Sequence, residues 1–190
     1  MKGVAMDIRI KGAAFREDYD YITRTKGQEG LAALNKRLRD NGCKYDLMEI
    51  KDLMAYPLGL RVDFLKGARE EFGWSDRDIF TMARNAPRVN SAIKLFVKYF
   101  VSLDTAFNST AKYWSHYFNA GRLAPTHFDA KKGAIQVTLH DLPADPILYT
   151  QLSGYFVGVM DLTGVKAARC VRIARRINDN EVTFHLAYDP

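Results

Sequence analysis

The sequence predicts an α+β fold in which a helical N-terminal part packs on an antiparallel four-stranded sheet, with one helix between the two hairpins of that sheet. Apolar residues recur at helical spacing from about residue 15 to residue 120, and from about residue 122 the pattern becomes mixed. No repeat, low-complexity tract or Pro/Gly/Ser-rich linker separates the two parts. We therefore expect a single domain over residues 1–190, helical to about residue 121 and sheet-containing from about residue 122.

Glycine and proline mark the limits of the first helices. An apolar stripe over residues 15–25 is interrupted at Gly27, and a second stripe follows over residues 31–38. Pro57 opens the next helix because its fixed φ suits a first helical turn, and Gly73 closes that helix. Gly42 stops the second of these helices, so the segments around residues 15–25, 31–38 and 57–73 are predicted to be helical.

Further helical segments precede the strands. Ser75 starts a capping box ahead of a short helix, which Pro87 is expected to end. Residues 89–103 carry a broad apolar face and predict a central buried helix. Residues 105–120 predict an aromatic-rich helix that ends at Gly121.

The C-terminal part alternates between strand and helix patterns. Arg122–Asp129 and Ala134–His140 predict a hairpin, since apolar and polar residues alternate strictly in its second strand. Residues 147–162 predict a helix, and Lys166–Arg176 with residues 181–188 predict a second hairpin. This order gives the four strands of the sheet.

Composition favours a folded chain with a large apolar interior. Hydrophobic residues make up 47% of the chain and aromatic residues 12%, which is enough to fill a core and to line a cavity. The net charge of +6 comes from 28 basic and 22 acidic residues, spread along the chain without a block of like charge. Such a mild excess attracts acidic partners only weakly, so the composition does not favour direct nucleic-acid binding.

Cysteine usage and hydropathy bear on the compartment. Cys43 and Cys170 lie far apart, without the spacing of a zinc site or a disulfide framework, so a reducing compartment fits best. Residues 1–10 lack the apolar segment of a signal peptide, and the densest later apolar run, residues 155–160, is too short to span a bilayer. We therefore expect a cytoplasmic protein with no metal site and no membrane span.

Four segments of the chain resemble the H-NOX-like ligand-binding superfamily: "IKGAAFREDYDYITRTKGQEGLAAL", "YPLGLRVDFL", "AKYWSHYFNAGRL" and "LSGYFVGVMDLTGVKAARCVRI". That superfamily includes haem nitric-oxide and oxygen sensors, the four-vinyl-reductase domain, TRAPP vesicle-tethering subunits and an uncharacterised bacterial family common in myxobacteria. The chain is most similar to the last of these. The resemblance implies an α+β fold with a pocket between helices and sheet, and binding of a ligand or partner more than catalysis.

The resemblance leaves the cofactor open. Haem sensors of this superfamily need an axial His on a helix and a downstream Tyr-x-Ser-x-Arg motif that clamps the haem propionates. His116 resembles the axial position, but the region "VTLHDLPADPILY" lacks the clamp and would leave two carboxylates poorly neutralised. A packed or capping side chain among aromatic neighbours is the alternative for His116. Haem is thus a candidate cofactor whose clamp is missing.

A ligand pocket is expected where the aromatic helix faces the late helix and the sheet. Each candidate for its wall also has a plainer interpretation as a core side chain. The candidate pocket residues are Trp114, His116, Tyr117, Tyr155 and Cys170. Gly154 and Gly158 form a ridge of small residues, for which close helix–sheet packing is favoured over space for a bound molecule.

Basic residues are densest in the first strand of the second hairpin. They could meet a phosphate or an acidic partner, and a solvated strand edge that discourages aggregation is the favoured alternative. This predicted basic patch consists of Lys166, Arg169, Arg172, Arg175 and Arg176.

No catalytic motif stands out: the sequence has no nucleophile elbow, zinc-binding HExxH, phosphate-binding loop or dinucleotide fingerprint. We assign no catalytic residue and expect a non-catalytic binding or sensory domain for a small hydrophobic ligand in bacterial signalling, acting through a protein partner. One alternative is a gas sensor that binds haem or another tetrapyrrole. Another is a homodimerising interaction module like the TRAPP subunits, which predicts a filled core and an exposed apolar patch.

Overall fold

The computed structural model describes residues 7–89, 102–142, 145–176 and 180–190. The central helix predicted over residues 89–103 therefore falls almost wholly outside the described residues. The helices are α1 (Ala13–Asp40), α2 (Leu58–Phe72), α3 (Asp76–Val89), α4 (Leu103–Asn108), α5 (Thr110–Tyr117) and α6 (Pro146–Leu162). The strands are β1 (Arg9–Lys11), β2 (Ala55–Pro57), β3 (Arg122–Asp129), β4 (Ala134–His140), β5 (Lys166–Arg176) and β6 (Glu181–Asp189).

The four-stranded sheet has the order β3-β4-β6-β5, and every neighbouring pair is antiparallel. Two hairpins therefore meet at their second strands, and α6 connects them along the chain, as the sequence predicts. In the central pair Val137 lies opposite Phe184, and both side chains are buried. The α+β class and the antiparallel sheet are confirmed.

Two of the predicted helix limits are confirmed in detail. Gly27 interrupts α1 with φ of 73° and ψ of 177°, a backbone conformation in which glycine has no Cβ to clash. Gly73 follows α2 in the left-handed region, where its N–H donates to the carbonyl oxygen of Arg69. Before α3, the Ser75 hydroxyl donates to the Asp78 carboxylate at 2.6 Å and the Ser75 N–H donates to it at 2.8 Å. These two hydrogen bonds hold the pKa of Asp78 below its usual value.

Pro87 does not end the third helix, contrary to the prediction. It lies within α3, which continues to Val89. Proline costs a helix one hydrogen bond and crowds the carbonyl group four residues earlier, but its fixed φ is compatible with a helix, so it can kink a helix without ending it.

The predicted helix over residues 105–120 is two short helices, α4 and α5, which meet at Ser109. The Thr110 hydroxyl donates to the carbonyl oxygen of Phe107 at 2.6 Å, and such side-chain bonds compete with the regular helical ladder. The second helix ends at Tyr117, because Phe118 is extended and pairs with Ile10 in an isolated bridge. Gly121 has a positive φ of 72° but leads into β3 and does not cap a helix.

The ridge of small residues on α6 packs against helix α3, whereas sheet packing was expected. A Cβ added at Gly154 would come within 2.3 Å of the Phe80 carbonyl oxygen, and one at Gly158 within 2.3 Å of the Arg84 carbonyl oxygen. Two hydrogen bonds of 2.7 and 2.9 Å from Arg84 to Asp161 join the same two helices. Backbone contact between α3 and α6 therefore depends on the missing side chains.

Buried side chains from the helices and the sheet form one continuous cluster. Phe15 and Phe64 contribute from the N-terminal helices, Trp114 from α5, and Phe184 and Leu186 from the sheet. The aromatic rings of the helical half therefore share an interior with the strands. Across the described parts of the chain, each helix is too short or too polar to pass through a lipid bilayer.

Alanine at Gly154 or Gly158 is expected to lower the free energy of unfolding by about 3 kcal/mol, because a methyl group cannot fit against the α3 backbone without moving it. Gly59→Ala is the matched control, since Gly59 lies on α2 with no atom near its missing Cβ. Alanine there should stabilise the helix by up to about 1 kcal/mol. Urea unfolding gives the free energy of unfolding of all three variants. A Gly154→Ala variant as stable as the natural sequence would contradict the packing of α6 against α3.

Candidate functional site

A half-open cavity of about 150 Å³ lies between the helices and the sheet. Its wall is mostly apolar. Strands β1, β3, β4 and β6 and helices α1, α2, α4, α5 and α6 all contribute residues to it. The sheet supplies Ile135, Val137 and Leu186, and α6 supplies Leu152, Phe156 and Met160. An apolar wall with a few polar groups is the usual composition of a small-molecule site.

Aromatic side chains of α5 and the following residue form another part of the wall. Trp114 stacks on Phe118 with ring centroids 3.9 Å apart and nearly parallel planes. The Trp114 indole N–H donates to the Ala120 carbonyl oxygen at 3.0 Å, which fixes the ring. Phe107 of α4 borders the cavity and stacks on Phe128 of β3 at 5.4 Å. This side of the cavity is thus built of rings held by each other and by the backbone.

Tyrosine hydroxyls add polar groups to the wall. Burial raises the pKa of Tyr155 well above its usual value, and the nearby Glu17, Tyr117 and Tyr113 raise it further. Burial, followed by the neighbouring Tyr117, raises the pKa of Tyr113 to about 12. Both hydroxyls therefore keep their protons at neutral pH and can donate hydrogen bonds.

A buried ion pair lies beside the cavity. Arg61 of α2 is 2% exposed and Asp18 of α1 is 1% exposed, and the Arg61 Nη2 lies 2.5 Å from the Asp18 Oδ2. The rings of Phe15 and Phe64 lie 5.1 and 5.5 Å from the guanidinium. Burial raises the pKa of Asp18, and the charge of Arg61 opposes this effect only in part.

The structure brings three of the five predicted pocket residues together: Trp114, Tyr117 and Tyr155 border the cavity. His116 does not, because its side chain is exposed on the outer side of α5, edge-on to Tyr117. Cys170 is also outside the cavity wall, and it lies on β5 at the edge of the sheet. Burial raises the pKa of the Cys170 thiol, which favours its unreactive protonated form.

Four polar wall residues were missed by sequence reasoning: Glu17, Arg61, Thr110 and Gln151. A signal was available for the second of them. Arg61 precedes Phe64 by three residues and Leu65 by four, so it shares the apolar face of α2. A charged residue within an apolar stripe indicates a buried partner, here Asp18.

The predicted basic patch does not form one cluster. Arg172 faces His185, with nitrogen atoms 3.5 Å apart, whereas the Arg175 guanidinium lies 5.2 Å from the Tyr149 ring centre on the α6 side of β5. Arg169 pairs with Asp189 at 3.2 Å, and Arg176 lies 4.0 Å from Glu181. Lys166 is exposed at the start of the strand. The five residues lie along the edge strand β5, where charge discourages strand pairing between chains.

Neither a protein-family model nor a curated protein sequence matches this chain. Solved structures do match it. An iron(II) unliganded H-NOX mutant from K. algicida is 10% identical with a TM-score of 0.71, and the match covers 95% of this chain and 97% of the other. A Tt H-NOX variant is 12% identical with a TM-score of 0.68, covering 95% and 96%. An oxygen-binding H-NOX domain related to soluble guanylate cyclases, in its oxygen complex, is 12% identical with a TM-score of 0.66 and the same coverage, 95% and 96%. The chain therefore has the H-NOX-like fold over nearly its whole length.

Arg61→Met is expected to lower the free energy of unfolding at pH 7 by about 3–5 kcal/mol, because it leaves the Asp18 carboxylate buried without its cation. Without the cation, burial alone acts on the Asp18 carboxyl, so its pKa in the folded variant lies above the unfolded value of about 4. The contribution of Asp18 to the stability of the variant is then fully present below pH ~4, and it is lost as the pH rises through the folded pKa of Asp18.

Urea unfolding of Arg61→Met across this pH range is the measurement. Asp18→Leu/Arg61→Met should recover most of the loss, because both charges are then gone. Lys36→Met removes an exposed ion pair with Asp40 and is the matched control with little expected change. An Arg61→Met variant as stable as the control at neutral pH would contradict the buried ion pair.

Proposed function

We propose that this chain is a non-catalytic binding or sensory domain that takes a small hydrophobic ligand into the cavity between its helices and its sheet. The supporting observation is the apolar cavity of about 150 Å³. An engineered cavity of about this size in another protein, lined by Leu, Ile and Phe, stays dry and binds benzene or xenon. The expected ligand is therefore about the size of one aromatic ring with a small substituent.

Haem is the first alternative, since the H-NOX-like relatives include an oxygen-binding domain. The residues of this cavity do not fit it. The chain has four histidines and two cysteines, and none of the six borders the cavity. Among the described residues, no group of three or more His, Cys, Asp or Glu side chains is placed to hold a metal ion. The positive charge of Arg61 in this wall is already balanced by Asp18, so it cannot also neutralise two propionates.

Helices α4 and α5 are the proposed link to a signalling partner in the bacterial cytoplasm. Leu103 and Ala106 of α4 and Tyr117 of α5 border the cavity, and both helices also contact β3. A ligand that fills the cavity would therefore favour one arrangement of these short helices. A protein partner that contacts them would then respond to the ligand.

Ala106→Leu is expected to abolish ligand binding, because the larger side chain fills the cavity that Ala106 borders. A saturating concentration of toluene, about 100 times Kd, should stabilise the natural sequence by about 2.7 kcal/mol and leave this variant unchanged. Ala111→Leu is the control, since Ala111 is exposed on α5 and should leave the stabilisation intact. Thermal unfolding measures the effect, and the absence of stabilisation in the natural sequence would contradict the proposal.

Added haemin provides a second measurement in the same experiment. We expect no Soret band in the natural sequence, and no spectral difference between it and His116→Ala, because His116 is exposed outside the cavity. A Soret band that His116→Ala abolishes would favour the haem alternative.

A homodimer like the TRAPP subunits is a second candidate function. The loop between α1 and α2 exposes Tyr45, Met48, Leu53 and Met54, whose relative exposures are 38%, 61%, 87% and 57%. Large apolar side chains grouped on one surface favour contact with another protein.

Leu53→Glu is expected to convert such a dimer to a monomer, because a carboxylate would be buried at the contact. Light scattering coupled to size-exclusion chromatography gives the mass of each variant. Val171→Glu, at an exposed apolar residue on β5, is the matched control. A natural sequence that is monomeric at high concentration would exclude the homodimer.

A further inference from the structure

We propose that the ligand of this cavity carries an uncharged oxygen acceptor that binds the Arg61 guanidinium. The preferred class is then a small aromatic alcohol, ketone or ether, and not a hydrocarbon or an ion. This inference rests on the proposed function and names the chemistry of its ligand.

Arg61 has buried hydrogen-bond donors that have no acceptor in the described part of the chain. The side chain is 2% exposed and borders the cavity, and its Nη2 faces Asp18 at 2.5 Å. Its Nε and Nη1 are buried and have no hydrogen-bond acceptor in the structure as described. A buried donor without a partner costs about 1–3 kcal/mol, and more on a charged group. The guanidinium therefore has both the capacity and the energetic reason to bind a further acceptor.

Among the described residues, no neighbour of Arg61 forms a hydrogen bond with these two donors. Phe15 and Phe64 lie against the guanidinium, and their rings contain no oxygen. The Asp18 oxygens and the Tyr19 hydroxyl are buried, but none of them is hydrogen-bonded to Nε or Nη1. Because Arg61 borders the open volume of the cavity, a molecule inside the cavity can supply the acceptor.

The charges around the cavity favour an uncharged ligand. Asp18 already balances the charge of Arg61, and Glu17, which is 6% exposed, borders the same cavity. An anionic ligand would add a third carboxylate beside one guanidinium in a buried site. A cationic ligand would offer the Arg61 donors no acceptor and would lie beside a second cation, a repulsion that Glu17 offsets only in part. A neutral oxygen satisfies the donors without either penalty.

The test is a matched ligand series on the full chain. Ethylbenzene, benzyl alcohol and benzylammonium have the same size and differ in one terminal group, and benzoate supplies the anion. Isothermal titration calorimetry at pH 7 gives Kd for each. Benzyl alcohol should bind at least as tightly as ethylbenzene although it is better hydrated in water. Both ions should bind at least about tenfold more weakly than benzyl alcohol.

A variant without the ion pair isolates the role of Arg61. In Asp18→Leu/Arg61→Met, ethylbenzene should bind with nearly unchanged Kd, whereas benzyl alcohol should lose about tenfold or more, the value of a hydrogen bond to a charged group. If this variant does not fold, the order of affinities in the natural sequence decides.

The outcomes separate the two proposals. Tighter binding of ethylbenzene than of benzyl alcohol in the natural sequence would overturn the role of Arg61 and leave the apolar ligand site standing. The same conclusion would follow if Asp18→Leu/Arg61→Met bound benzyl alcohol and ethylbenzene with the same ratio of Kd values as the natural sequence. Failure of all four compounds to bind would overturn both proposals.

Discussion

The placement of helix α6 is the constraint on which the rest of the structure depends. Gly154 and Gly158 lie against the backbone of α3, so the two helices can approach closely along this face. Leu152, Phe156 and Met160 lie on another face of the same helix and border the cavity. The tight contact with α3 therefore fixes one face of α6, while the apolar side chains on the other face border the cavity. A larger residue at either glycine would move the cavity wall as well as weaken the helix pair.

The cavity combines an apolar interior with one strongly polar position. A buried arginine is expensive to desolvate, and pairing with one carboxylate does not satisfy all of its donors. Asp18 receives one contact from Arg61, whose Nε and Nη1 have no hydrogen-bond partner among the described residues, and the Arg61 side chain borders the cavity. This arrangement resembles a site in which apolar contacts provide affinity and one polar group selects the ligand. The likeness to H-NOX structures shows the fold alone, and the described wall of this cavity contains no histidine or cysteine.

Much of the fold could be predicted from the sequence because periodicity and backbone requirements are local. Strict alternation in β4, the break at Gly27 and the end of α2 at Gly73 all depend on residues close in the chain. The predicted helix over residues 105–120 was wrong because the Thr110 hydroxyl and the pairing of Phe118 with Ile10 compete with helix formation. The second of these is a contact between distant residues, which no local pattern displays.

The candidate site was only partly predictable for the same reason. Aromatic residues at helical spacing on α5 pointed to Trp114 and Tyr117, and the same pattern could not show that His116 faces outward. Glu17 and Arg61 lie on helices far apart in sequence from α6, so their meeting at one cavity depends on tertiary packing. The polar residues of the site could therefore be identified only from the three-dimensional structure.

A crystal structure determined under xenon pressure tests the central claim most directly, because xenon occupies dry apolar cavities of this size. The account predicts a xenon atom between Val137 of the sheet and Leu152 and Phe156 of α6. A collapsed cavity, or one in which ordered water or a haem group fills the space between these three apolar side chains, would contradict it.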